Sequence, residues 1–212
     1  MTAHLPKAIL LDIEGTTTSI AYVAETLFPY ARERIPAWVP MHREEIAPVL
    51  AGMPPGDPVA TLLGWMDEDA KETALKDIQG RIWREGYEAG ELKAHVYPDT
   101  PAALRRWTAA GIRVCIYSSG SIEAQKLIFG HSEAGDLTSY LSAYFDTTTG
   151  PKRAPASYTS IAGQLGLAPA DILFVSDVAA ETGAAKAAGL DALLIDRDTG
   201  VGDVGSLAEV LP

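Results

Sequence analysis

Four short stretches of the sequence carry groups able to do chemistry together. The first is Asp12-Ile13-Glu14-Gly15-Thr16, the second Ser118-Ser119-Gly120, the third Gly150-Pro151-Lys152, and the fourth Asp177 with Glu181 one helical turn on. Two carboxylates as close as Asp12 and Glu14 repel each other unless a proton or cation lies between them. A hard divalent cation is the economical partner, and Mg2+ prefers carboxylate and phosphate oxygens. Ser118-Ser119-Gly120 opens a helix, where free amides and the helix dipole hold anions. Metal, anion-binding groups and an exposed carboxylate together describe a site for phosphoryl transfer. The carboxylate can itself be the nucleophile, giving an aspartyl-phosphate that water then hydrolyses. Singly, each stretch has a plainer use. Strand-end acids cap turns, serines cap helices, and a lone lysine is usually a solvated surface charge. The combination, delivered in order along the chain, is what is specific.

These groups need a scaffold that brings them to one place. Short apolar runs at 8–12, 112–117, 171–176 and 191–195 read as buried strands, with a weaker candidate at 143–145. Helical patterns over 100–110, 121–129, 155–165 and 178–188 lie between them. Asp99 is the expected N-cap of the first, with Pro101 in its first turn and Gly111 at its end. Alternating strands and helices predict an α/β fold, a doubly wound parallel sheet of Rossmann-like type. Its ligands bind at the carboxyl ends of the strands, where all four chemical stretches fall. The rhythm breaks between residues 22 and 95, which hold helical segments near 24–38, 41–50, 58–67 and 70–89. This is several times longer than a parallel crossover needs. The expected organisation is a catalytic core of 1–21 and 96–212 with a helical cap, 22–95, inserted after the first strand. Leu75, Ile78, Ile82 and Trp83 recur at helical spacing and read as the core of that insertion.

Composition narrows the function classes. The 212 residues suit one domain, or a core carrying a small insertion, and bury roughly 70% of their unfolded surface. With 47% apolar and 21% charged residues, the chain is globular rather than disordered. Against 28 acidic side chains stand 17 basic ones, a net charge of −11. That balance argues against nucleic acid, which needs a basic face. No apolar run approaches the roughly 20 residues of a membrane helix. The opening Met-Thr-Ala-His-Leu-Pro-Lys lacks the apolar region of a signal peptide. Cys115 is the sole cysteine and sits in an apolar run, which favours inert packing in a reducing, cytoplasmic setting. The charge suits a soluble chain, expected to be a monomer.

The motif set resembles that of the haloacid dehalogenase-like phosphohydrolases: a strand-end acid pair with Gly-Thr, a Ser or Thr after strand two, a Lys, and an acidic motif after strand four. Within them the chain is most similar to the enolase-phosphatases of methionine salvage, the acireductone synthases. The resemblance runs through Leu11-Asp12-Ile13-Glu14-Gly15-Thr16-Thr17-Thr18, Phe28-Pro29-Tyr30, Thr73 to Lys76 with Gln79-Gly80 and Trp83, and Ile116 to Ser121. It continues through Glu123 to Leu127, Phe129 to Ser132 and Phe145-Asp146-Thr147, and so covers nearly the whole chain.

The resemblance implies roles. Asp12 is the nucleophile and a ligand of one Mg2+ per chain. Glu14 binds the metal through its backbone carbonyl and works as acid and base. Asp177 is the third protein ligand. Ser118 and Ser119 hold phosphate or neighbouring substrate oxygens, and Lys152 pairs with phosphate and orients Asp12. Asp177 is followed by Val178-Ala179-Ala180 rather than a second clustered acid, so Glu181 is left between a direct role and one exercised through a neighbour. The implied partner is a small phosphorylated molecule, 2,3-diketo-5-methylthiopentyl 1-phosphate, enolised and then dephosphorylated. The base for enolisation stays open among Glu14, Glu25, Lys76 and His95. The alternative is a generic Mg2+-dependent small-molecule phosphatase. A dehalogenase would leave Glu14 and Asp177 without a purpose, and a phosphate-binding module with a dead site would not keep Asp12, Ser118, Lys152 and Asp177 together.

Overall fold

The computed structural model describes residues 5–211. Strand β1 (Ala8–Leu11) leads to a helical run made of a single turn α1 (Ile20–Tyr22), a π turn over Val23–Leu27 and helix α2 (Phe28–Met41). Helices α3 (Ala47–Ala51), α4 (Pro58–Asp67) and α5 (Thr73–Glu88) follow. The chain then alternates through α6 (Thr100–Ala109), β2 (Arg113–Tyr117), α7 (Ile122–Gly130), β3 (Leu141–Phe145), α8 (Pro155–Leu165), β4 (Ile172–Ser176), α9 (Ala179–Ala187) and β5 (Asp191–Leu194). The five strands form one parallel sheet in the order β3-β2-β1-β4-β5. This is the α/β architecture expected from the alternating pattern.

Burial explains why these runs become strands. Every residue of β1 is fully buried, so both faces of the sheet are covered. Alternate residues divide between the faces. Ala8, Leu10, Cys115, Tyr117, Ile172 and Phe174 join Tyr158, Ile161 and Ala162 of α8 and Ala184 and Ala185 of α9 in one core cluster. The Tyr158 ring lies edge-on to both Tyr117 and Phe174, with centroids 5.6 and 5.1 Å apart. Ile9, Leu11, Val114 and Ile116 have the opposite parity and are also buried. Helix α8 starts on Pro155, whose missing N–H costs nothing at that position, and stops at Gly166 in the left-handed conformation.

Ala21–Lys93 form one compact unit, and the chain before and after it forms the other. The helical unit starts one residue, and ends two residues, before the 22–95 span expected from the sequence. Its core gathers Leu27, Ala31, Ile35, Leu62, Leu75, Ile78, Ile82 and Trp83. The indole of Trp83 donates to the Leu27 carbonyl at 2.8 Å, and the Tyr22 and Tyr87 hydroxyls pair at 2.8 Å. Helix α2 starts later than the pattern over 24–38, runs three residues past its end, and carries Pro36 and Pro40 inside it. Tertiary packing there overrides two helix-breaking residues. The segment expected to be helical over 41–50 turns through 42–46 and is helical only over Ala47–Ala51.

The expected cap at Asp99 is not made. Asp99 precedes α6, but its side chain accepts no bond from that helix. Its Oδ2 instead accepts from Arg197 Nη1 and from the Leu207 amide, both at 2.6 Å. A charged partner and a distant amide outcompete the local amides for the carboxylate.

Because Phe174 is fully buried in β4 against Tyr158, Phe174→Ala should cost about 3–5 kcal/mol in denaturant unfolding. A loss below about 1 kcal/mol would show that this cluster is not the centre of the core.

Candidate active site

The strand order creates the site. From β1 the chain builds outward through β2 and β3, then returns to place β4 on the other side of β1 and adds β5. Connections on either side of β1 therefore diverge and leave a crevice beyond its carboxyl end. Asp12 follows β1 directly, and its amide donates to the Val175 carbonyl of β4 at 3.0 Å. Asp177 follows β4, Ser118 follows β2, and Lys152 lies beyond β3.

Asp12 is 4% exposed, and both of its oxygens are engaged. Oδ1 accepts from the Ile13 amide at 2.7 Å and pairs with Lys152 Nζ at 2.7 Å. Oδ2 lies 2.9 Å from the Ser176 hydroxyl. Lys152 Nζ also meets Glu181 Oε2 at 2.6 Å, and Ser176 Oγ lies 3.1 Å from that same oxygen. The result is a buried ring of Asp12, Lys152, Glu181 and Ser176. Burial pulls the Lys152 ammonium down, but the Asp12 and Glu181 carboxylates outweigh it and hold its pKa above the ordinary value. Burial pushes Glu181 up, and the charge of Asp12 adds to it against the opposing pull of Lys152. Aromatic hydroxyls fix the lysine's loop, with Tyr158 donating to the Lys152 carbonyl at 2.7 Å and Tyr117 to the Gly150 carbonyl at 2.8 Å.

Asp177 stands beside the turn that follows Asp12. Its amide donates to the Thr16 hydroxyl at 3.2 Å. Gly15 has φ +69°, and a Cβ there would lie 2.2 Å from Asp177 Oδ2, so glycine is required on both counts. Burial, and then the charge of Asp12, push the Asp177 carboxyl up to about 6. Glu14 is exposed, unlike Asp12. Among the described residues no three Asp, Glu, His or Cys side chains converge as a metal cage. The structure thus brings Asp12 and Asp177 into mutual influence and leaves the Glu14 carboxylate outside a three-carboxylate cluster. Mg2+ takes one or two carboxylates and keeps several waters, so this donor set fits it. With Glu181 the centre holds three carboxylates against one ammonium, a charge that a dication would offset.

The serines divide. Ser118 is buried, and its oxygen accepts from the Gly120 amide at 3.2 Å. Ser119 is exposed. The cap of α7 is neither of them but Ser121, whose oxygen accepts from the Ala124 amide. Gln125, fully buried, fastens this turn by donating to the Gly120 and Phe145 carbonyls, both at 2.9 Å.

Sequence reasoning gives no role to Ser176 and Gln125 and leaves that of Glu181 open. Ser176 is the last residue of an apolar strand, and nothing in its spacing marks it. Gln125 lies within the Glu123–Leu127 run but on a helix, where a polar residue usually faces solvent. Glu181 was noted, and its observed partners are Lys152 and Ser176. Of the candidate proton acceptors, His95 takes the Ser19 amide on Nδ1 at 3.1 Å, while Glu25 and Lys76 belong to the helical unit.

Between its ordinary 3.8 and about 6, Asp177 holds a proton in the folded chain that the unfolded chain has lost. Stability therefore falls as pH rises through that window. In metal-free protein, Asp177→Asn should remove this pH dependence and raise the Tm at pH 7 by about 2–4 °C for each kcal/mol recovered. An unchanged or lower Tm would show that the carboxylate is not held at a cost.

Comparison with known proteins agrees with this geometry. Residues 6–189 match the family model described as haloacid dehalogenase-like hydrolase. The chain is 52% identical to "Enolase-phosphatase E1" of Pseudomonas aeruginosa, over 92% of this chain and 82% of that one. It is 50% identical to "Enolase-phosphatase E1" of Azotobacter vinelandii, over 92% and 90%. Among solved structures, the UTR4 protein of Saccharomyces cerevisiae superposes with a TM-score of 0.81 at 36% identity, covering 90% of each chain. By its motifs, its fold and these relatives, the chain belongs to the haloacid dehalogenase-like hydrolases and, within them, to the enolase-phosphatase family.

Proposed function

We propose that the chain is a Mg2+-dependent enolase-phosphatase of L-methionine salvage. It converts 2,3-diketo-5-methylthiopentyl 1-phosphate to the enol phosphate, and then to 1,2-dihydroxy-3-keto-5-methylthiopentene and inorganic phosphate. The observation that carries this is Asp12, buried and held by Lys152 and Ser176 beyond β1, in a chain half identical to proteins named enolase-phosphatase E1. In this scheme the helical unit is the cap subdomain. The lone thiol of Cys115, which burial pushes up to about 11, suits a cytoplasmic, reducing setting. The enzyme acts as a monomer.

Enolisation comes first. A proton leaves C1 and the adjacent carbonyl oxygen is protonated, giving the enol phosphate. Asp12 then attacks phosphorus in line; its Oδ–P bond forms as the bond to the enol oxygen breaks. Lys152 and the Ser118 hydroxyl, with Ser119 beside it, hold the phosphoryl oxygens. The Asp12 and Asp177 carboxylates and the Glu14 carbonyl would hold Mg2+, which would supply positive charge beside the transferring group. Glu14 gives a proton to the leaving oxygen. It then takes one from the water that hydrolyses the aspartyl-phosphate, which restores Asp12.

The test is anaerobic turnover of the synthetic diketone phosphate, with Mg2+ or with EDTA, following enol absorbance and phosphate together. The enol signal should precede phosphate, and EDTA should abolish both. Asp12→Asn should release no phosphate, because an amide is a poor nucleophile. Ordinary turnover by that variant would overturn the aspartyl-phosphate scheme. Hydrolysis of simple esters without any enol signal would reduce the activity to that of a generic phosphatase.

A further inference from the structure

Arg197 lies beyond β5, outside every motif that marks the site in the sequence. Its side chain is only 9% exposed, and its donors turn inward. Nη1 donates to Asp99 Oδ2 at 2.6 Å, Nε donates to the Thr16 carbonyl at 3.1 Å, and Nη2 donates to that same carbonyl. The guanidinium lies over the Tyr97 ring, 4.1 Å from its centroid. Thr16 is fully buried and closes the turn that begins at Asp12. Its carbonyl takes Arg197, and its hydroxyl takes the amide of Asp177. Gly15, next to it, has no room for a Cβ against Asp177. Any shift of Thr16 therefore changes how the Asp12–Glu14 turn faces Asp177.

The geometry points to Arg197 as a positioning residue for the acidic centre: by gripping the Thr16 carbonyl it fixes Asp177 relative to the Asp12–Glu14 turn, and thereby sets the centre's affinity for a divalent cation. This rests on the Mg2+ role proposed above. Two donors on one carbonyl and a third on a carboxylate require a planar fork, which arginine has and lysine lacks. Asp99 balances the charge and ties the network to the Leu207 amide at 2.6 Å. Partners that orient metal ligands without touching the metal typically govern affinity or activity by about 10–100-fold.

The test compares full-length wild type with Arg197→Met, Arg197→Lys and a control, Arg106→Met. Arg106 donates to the carbonyls of Leu207, Val210 and Leu211, so it braces the same C-terminal segment without reaching Thr16. Two readouts are taken: hydrogen exchange at the amides of 12–18 and Asp177 in metal-free protein, and Mg2+ affinity by titration calorimetry. Arg197→Met should speed exchange at the Asp177 amide and weaken Mg2+ binding by about 10–100-fold. Arg197→Lys should recover only part of either effect. Arg106→Met should lower Tm yet match wild type in both. If Arg197→Met also matches wild type in exchange and affinity, Arg197 is only a strut and the proposal falls. If wild type itself binds no Mg2+, the metal role of the centre falls, and exchange at Asp177 alone decides whether Arg197 positions it.

Discussion

The site depends on one buried ammonium. Lys152 stands 2.7 Å from Asp12 and 2.6 Å from Glu181, with all three side chains nearly out of solvent. Breaking such a pair by removing one partner strands an uncompensated charge, at about 3–5 kcal/mol. The lysine therefore sets a positive charge between two buried carboxylates and opposes the upward push of burial on Glu181. It also aims Asp12, because one oxygen faces the ammonium while the other faces Ser176. The position of Lys152 is set in turn by Tyr117 and Tyr158, and these rings belong to the same core cluster as Phe174. Packing on one face of the sheet is thus continuous with the charge arrangement at its carboxyl end.

Sheet order is the larger constraint behind that contact. Asp12 and Asp177 are 165 residues apart in sequence, yet they follow neighbouring parallel strands. Parallel pairing places both after the same edge of the sheet, and the reversal of strand order beside β1 keeps the crevice open between them. The helical unit enters the chain after β1, so a long insertion leaves the strand register undisturbed. Leu11 pairs with Ile116 on one side and Val175 on the other, on either side of that insertion.

Most of this was legible in the sequence because buried parallel strands are short, continuous apolar runs and helices are punctuated by Pro and Gly. Strand ends then marked Asp12, Ser118 and Asp177 without further help. What escaped were residues whose partners are distant and whose local context suggests something simpler. Asp99 sits where an N-cap belongs, but the competing partner is Arg197, 98 residues on. Ser176 ends a strand like any other residue, and only the fold shows it between two carboxylates. Helix α2 runs past residue 38 through Pro40, which lowers local propensity, because burial of Ile35, Trp38 and Val39 holds the helix together. Local signals locate elements; polar networks between elements require the tertiary structure.

The roles proposed for Asp12 and Glu14 rest on the contrast between their surroundings. Two carboxylates two residues apart have almost the same intrinsic acidity, so environment must separate them. Asp12 is enclosed by an ammonium, a backbone amide and a serine hydroxyl. In the proposed scheme a group so held is the nucleophile, its direction fixed by these contacts. Glu14 is exposed on the other side of Ile13, and the proposed scheme uses it to carry protons between water and the leaving group. Reversing the roles would ask the lysine-bound acid to take up a proton and the solvated one to hold a fixed line of attack. The same turn thus places two acids in different surroundings, and Gly15 and Thr16, pressed against Asp177 and gripped by Arg197, keep that separation in place.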